Sequence, residues 1–195
     1  MTLTLNDIDP RKRLFLETAV HEASHAVAGV RLNATLRSAV AFNNKLVGVL
    51  GRTTFEPTDY PRERESEIAY SASYGQAKFR AGGHRRPTMR EVDQVLQTTG
   101  HEDYGVLVAS GGTHLGTGVS VIIDRHWGAV IEVARKLVAQ AEVHHEDVCA
   151  ALGITDGGGR TSLDIARLNS GATLAPVVAA APPVGHRSLV AAMEP

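Results

Sequence analysis

At 195 residues, of which 43% are hydrophobic, the chain is long enough for one domain with a real core. Its formal net charge of −1 excludes recognition of nucleic acid or an anionic membrane by bulk charge. The single cysteine, Cys149, excludes an internal disulfide framework and suits a reducing compartment. The N-terminal segment from Met1 to Pro10 has no basic n-region followed by an apolar run, so no signal peptide is expected. No stretch reaches the roughly 18 consecutive apolar residues of a membrane span. These features together predict a cytoplasmic protein without a membrane segment.

The first element is the most informative. Asp9 suits a helix N-cap and Pro10 the first helical position, which predicts a helix from Pro10 to Arg31. Within it lies His21-Glu22-Ala23-Ser24-His25, a His-Glu-x-x-His pattern. Residues four apart stand one turn apart on the same helical face, so His21 and His25 can aim two imidazole nitrogens at one point. Zn²⁺ takes such nitrogens in a tetrahedral shell. Glu22, one position round the helix, can reach a metal-bound water without displacing it, which is the place of a general base. The bland alternative is an amphipathic helix with two buried histidines, each needing its own hydrogen-bond partner.

Ser38–Phe42 and Leu46–Phe55 read as strands joined by a turn at Asn43-Asn44-Lys45. An ordinary hairpin covering the core is compatible with that pair. Glu56–Pro61 reads as a linker and Arg62–Ala81 as a second helix stopped by Gly82-Gly83. Its middle, Ala69–Ala77, is rich in small residues that let another helix approach closely, and the His21/His25 helix is the natural neighbour. The basic cluster Arg80, His84, Arg85, Arg86 and Arg90 reads as a solvated loop. Thr88-Met89-Arg90-Glu91 is a capping box that starts a third helix. On it Met89, Asp93 and Leu96 share a face, so Asp93 can point inward, where a buried carboxylate needs a strong partner such as a metal ion.

Gly100–Gly118 is glycine-rich and reads as a mobile loop, without the Gly-Lys-Ser/Thr ending of a phosphate-binding loop. Ser120–Ala141 carries a clean apolar stripe and is predicted as one helix. His145–Leu152 reads as a short helix ended by Gly153. Its neighbours His144, His145, Glu146 and Asp147 point apart on a helix and make a poor metal site. Thr161–Leu168 is predicted as one or two helical turns, and the Ala- and Pro-rich chain from Ser170 to Pro195 has no period able to bury area. The expected division is a domain over 1–153 and a flexible tail over 154–195.

The run Thr18-Ala19-Val20-His21-Glu22-Ala23-Ser24-His25-Ala26-Val27-Ala28-Gly29 resembles the zinc helix of FtsH-type ATP-dependent metalloproteases, whose pattern is T-A-x-H-E-A-G-H-A-h-h-G. Ser24 stands where that family usually has Gly. Leu50-Gly51-Arg52-Thr53 is similar to the family's edge strand, and Tyr74-Gly75-Gln76-Ala77-Lys78 is a loose echo of its Gly-Gly-Arg-x-Ala-Glu run, lacking the Glu. The order of elements from Pro10 to Gly153 follows the family's peptidase domain, without its ATPase domain or membrane anchor.

The resemblance implies a mainly α, zincin-like peptidase domain with a small antiparallel β element. It implies Zn²⁺ as cofactor and an Asp from a later helix as third ligand. Asp93 is the matching residue, with Glu91, His101, Glu102 and Asp103 as rivals. The expected activity is peptide-bond hydrolysis by a metal-activated water, with His21, His25 and Asp93 as ligands and Glu22 as base. The expected partners are a peptide or unfolded protein substrate and a separate ATPase. The alternatives are a zinc-binding interaction module that cleaves nothing and a metal-free helical adaptor.

Overall fold

The computed structural model describes residues 8–44 and 48–177. The chain runs α1 (Pro10–Arg31), β1 (Leu36–Asn44), β2 (Gly48–Phe55), α2 (Glu65–Arg80), α3 (Met89–Leu96) and α4 (His101–Ala109). It continues through α5 (Ser120–Arg125), α6 (Trp127–Gln140), β3 (Glu142–Val143), α7 (His145–Leu152) and α8 (Leu163–Asn169). Short 3-10 turns lie at Pro57–Asp59, Arg62–Arg64 and Thr113–Val119. The protein is therefore mainly helical with a small three-stranded antiparallel sheet, as its pattern predicts. Among the described residues no single helix is long and apolar enough to cross a membrane. The expectations for Met1–Asp7, for the turn at Lys45, for the strand start at Leu46 and Val47, and for the tail from residue 178 lie outside the described residues.

α1 is the central element. The Asp9 carboxylate accepts from the backbone N–H groups of Arg11 and Lys12, and Pro10 takes the first helical position. Such a cap is worth about 1 kcal/mol. From Ala19 to Arg31 every residue is buried except His21 and His25, which are half-buried. Small side chains make this possible, because α2, α6 and the sheet all pack against the same helix. One close approach is to α2. A Cβ on Gly75 would sit 2.8 Å from the Ser24 Cβ, so the two helices meet where one residue has no side chain. The Ser24 hydroxyl turns back to donate to the Val20 carbonyl at 2.8 Å, so Ser24 fills the contact without leaving a buried donor unmet.

The sheet order is β2-β1-β3, so β2 is an edge strand. Ala39 pairs with Thr53 and Ala41 with Gly51 across the hairpin. A Cβ on Gly51 would lie 2.6 Å from Thr18 Cγ2 and 2.8 Å from Glu22 Cγ, so a glycine lets β2 cross directly over the His-Glu-x-x-His turn of α1.

Four sequence expectations need correction. Residues 100–118 are not a loop: His101–Ala109 is helical and a 3-10 turn follows. The helix expected over 120–141 breaks at His126 (φ −105°, ψ 25°), whose ring turns inward to accept from Arg31 Nε. The second helix starts at Glu65, because a 3-10 turn occupies Arg62–Arg64. The domain does not stop at 153. Ile154, Ile165 and Leu168 are buried, Ser162 caps α8, and Val177 N–H donates to the Ala150 carbonyl at 2.8 Å.

This last correction sets a prediction. Deleting residues 178–195 should leave the melting temperature unchanged, whereas deleting 163–195 should lower it by roughly 10 °C or more. The second deletion strips two fully buried aliphatic side chains from the core. Circular dichroism melts of the two truncations check it, and equal melts would show that α8 adds nothing.

Candidate metal centre

The two histidines of α1 face a common point together with Asp103 of α4. His21 Nε2 lies 3.1 Å from Asp103 Oδ2, and His25 Nε2 lies 3.2 Å from Asp103 Oδ1. The imidazoles stand edge-on, with ring centroids 5.0 Å apart and planes at 86°. The three ligand atoms are all within 4.8 Å of one another. Asp103 Oδ2 is buried and accepts no hydrogen bond, so its approach to His21 is close in distance but outside hydrogen-bonding geometry. Such atoms aim at a shared centre rather than at each other.

The surroundings decide which nitrogen of each ring carries a proton. Glu17, buried on α1, is held by Arg13 (2.9 Å) and Arg80 (2.7 Å). Burial alone would raise its carboxyl, but the two guanidiniums outweigh burial and hold it below the ordinary range, so Glu17 is an ionised acceptor. The Gln76 amide must therefore turn its Nε2 toward Glu17 (3.3 Å) and its Oε1 toward His21 Nδ1 (3.0 Å). An amide oxygen only accepts, so His21 Nδ1 carries the hydrogen and Nε2 presents its lone pair to the centre. Thr99 Oγ1 also donates to Gln76 Oε1, at 3.0 Å, and steadies it. His25 is fixed in the same way, its Nδ1 donating to the Ile68 carbonyl at 2.9 Å. Both outer nitrogens are thus committed to α2, the arrangement that orients metal-bound imidazoles.

Two lone pairs and a carboxylate facing one another repel unless a cation lies among them. Without metal, a proton serves. Burial would depress His25, but the Asp103 carboxylate outweighs it and pushes the imidazole up to about 9. Burial would likewise raise Asp103, and the two imidazoles hold it well below the usual carboxylate range. Two nitrogens and one carboxylate oxygen also form a donor set that suits Zn²⁺ with a position left open. The residues therefore fit a divalent ion.

A proton-release prediction follows. His25 is protonated at pH 7 in the metal-free protein, because its pKa of about 9 lies above the ordinary 6.5. This pair therefore stabilises the metal-free fold fully below pH 6.5, and the contribution fades as pH rises through 9. Zinc must displace that proton, so binding at pH 7 should release about one proton and tighten as pH rises toward 9. Calorimetric titration in buffers of different ionisation enthalpy reads the proton count, and buffer-independent heats would contradict it.

The centre opens into a cleft of about 600 Å³. Residues 49–53 of β2 form one wall and residues 98–103 the other, with the ligand face of α1 at the base. Glu22 lines it beside the histidines, nearly buried, with its Oε2 accepting from the Thr53 hydroxyl at 2.7 Å. A smaller pocket of about 160 Å³, walled by Phe55, Tyr60, Ile68 and Val106, borders His25 and Asp103.

His21, Glu22 and His25 come together as the motif predicts. Asp93 does not join them. The buried face of α3 is Val92, Val95 and Leu96, and Asp93 is exposed next to it, as is Met89. Its place is taken by the rival Asp103. Of the other rivals, Glu91 closes its capping box and pairs with Arg85, while His101 and Glu102 line the cleft without joining the ligand group. The basic loop is partly neutralised, through Arg85–Glu91, Arg86–Asp124 and Arg80–Glu17. His144 and His145 bond to backbone groups of β1 and Gly157 and form no metal group.

Sequence reasoning missed Gln76, Glu17 and Thr53 as supporting residues. For Gln76 a signal existed: it is a lone amide in a run of small residues expected to be buried, and a buried amide requires partners. No family model matches the chain, and no curated protein matches it at a significant level.

Proposed function

We propose that the chain is a zinc-dependent metallopeptidase of the zincin-like, FtsH-type kind, with His21, His25 and Asp103 as zinc ligands and Glu22 as general base. The observation that carries this reading is the convergence of the three ligand atoms at the base of a cleft with Glu22 beside them. A structural zinc site closes with a fourth protein ligand; the group found among the described residues has three. The retained carboxylate of Glu22 has no use in a structural site.

When bound, zinc supplies a Lewis acid and lowers the pKa of a water from 15.7 to around 7. Glu22 accepts the proton released as the peptide carbonyl is attacked, then delivers it to the leaving amine. Thr53 holds the Glu22 carboxylate in one orientation throughout, and Gln76 and the Ile68 carbonyl hold the two rings. Edge strand β2 offers backbone groups along the cleft wall, so an extended peptide can add to it as a strand with little demand on its sequence. That favours unfolded protein as substrate, taken directly or handed over by a separate ATPase.

The test is cleavage of casein by the purified full chain loaded with zinc. A chelator should stop cleavage and added zinc should restore it. Zinc bound at about one per chain, with neither casein nor short unstructured peptides cleaved, would leave the non-catalytic zinc module as the reading.

A further inference from the structure

Among the described residues no carboxylate neutralises the charge at the far end of α1. Arg31 is only 3% exposed. Its Nε donates to His126 Nε2 at 3.1 Å, and its Nη1 is buried without any hydrogen-bond partner. A guanidinium withdrawn from water in this way costs several kcal/mol unless a counter-ion meets it. Among the described residues no acidic group pairs with Arg31. Burial and the neighbouring Arg125 both weaken its hold on its proton. The same surroundings act on His126, where burial, Arg31 and Arg125 together push the imidazole down to about 4, so it is a neutral acceptor at pH 7.

Arg31 lines a third cavity, of about 470 Å³, with Asn33, Arg64, Arg160 and Asn169. Arg64 is neutralised by Glu67. Arg160 is exposed and has no carboxylate partner among the described residues. Glu63, also on the wall, is the one acidic residue there. Two uncompensated guanidiniums against one carboxylate leave the cavity with a net positive charge, which suits an anion. The planar fork of Arg fits the oxygens of a phosphate group, and the two Asn amides add neutral donors. The volume exceeds that of a phosphate group and falls in the range of small-molecule sites.

We infer that this cavity, lined by Arg31 and Arg160, binds the phosphate group of a small phosphate monoester. The site is separate from the metal cleft, since Arg31 stands about 9 Å farther along α1 than His25 at the helical rise per residue. Its occupation supplies the counter-ion that no described residue provides.

The test is a thermal-shift and calorimetric titration of the full chain with inorganic phosphate against chloride at matched ionic strength, then with glycerol 3-phosphate. Phosphate should raise the melting temperature saturably, and the ester should bind more tightly than phosphate alone. Arg31→Gln can fail to fold, so exposed Arg160→Ala carries the test: it should weaken phosphate binding by about fivefold or more, the loss of one charge-assisted contact. No saturable shift, or the same shift in Arg160→Ala, would overturn the site; the second result would place the phosphate elsewhere, as in the cleft. An ester that binds no better than phosphate would overturn its assignment to a small organic phosphate.

Discussion

Replacing Asp103 by Asn should abolish stoichiometric metal binding, whereas replacing Asp93 by Asn should leave it intact. Asn keeps the shape of the side chain and removes the negative charge. In the metal-free protein that charge is what pushes His25 up to about 9, and in the proposed zinc site it is the third ligand. Loss of a hydrogen-bond partner behind a ligand already costs about 10–100-fold in metal affinity, so loss of a ligand should cost at least about 100-fold. Asp93 lies on the exposed side of α3 and has no part in the ligand group. Zinc titration against a competing chelator separates the two variants. Retention of zinc by Asp103→Asn together with its loss from Asp93→Asn would reverse the assignment.

Glu22→Gln should separate chemistry from binding. The Gln side chain can still accept from Thr53 through its amide oxygen, so the local packing over Gly51 is kept. It cannot accept a proton from water. Peptidase turnover should fall by about 10²–10⁴-fold, the usual contribution of a general base, with zinc content near that of the wild type. Single-turnover assays on casein with parallel metal analysis measure both quantities. Undiminished cleavage by Glu22→Gln would remove Glu22 from the mechanism.

These two residues mark what was legible in the sequence. α1 announces itself through Asp9-Pro10, and its share of the candidate metal site through two histidines at helical spacing; both signals are local. α3 is equally plain because its capping box is local, and the structure forms both hydrogen bonds of that box. The third ligand required tertiary knowledge. Asp93 and Asp103 are both carboxylates on short helices that follow α2. Choosing between them depends on which face α3 buries, and Val92, Val95 and Leu96 settle that against Asp93. α4 was hidden because it lacks the usual marks: its N-cap is Gly100 without a side-chain bond, Gly105 interrupts it, and Leu107 is its one buried residue. Gly100 is required there because a Cβ would press into Ser73 of α2. The break at His126 was invisible for the opposite reason, since the apolar stripe continues across it from Ile123 to Val130 and Val133.

The Ser24–Gly75 contact acts as a register stop between two helices. His25 is anchored to Ile68, near the start of α2, and His21 to Gln76, near its end. If α2 slid along α1, both anchors would shift the same way, and both Nε2 atoms would leave the shared centre at once. Interlocking at Ser24 and Gly75 blocks that slide, one residue from His25 on α1 and one residue from Gln76 on α2. The alignment of the candidate metal centre is therefore a property of how two rods are indexed to each other. One position sensitive to added bulk is therefore a glycine on the helix that supplies no candidate ligand.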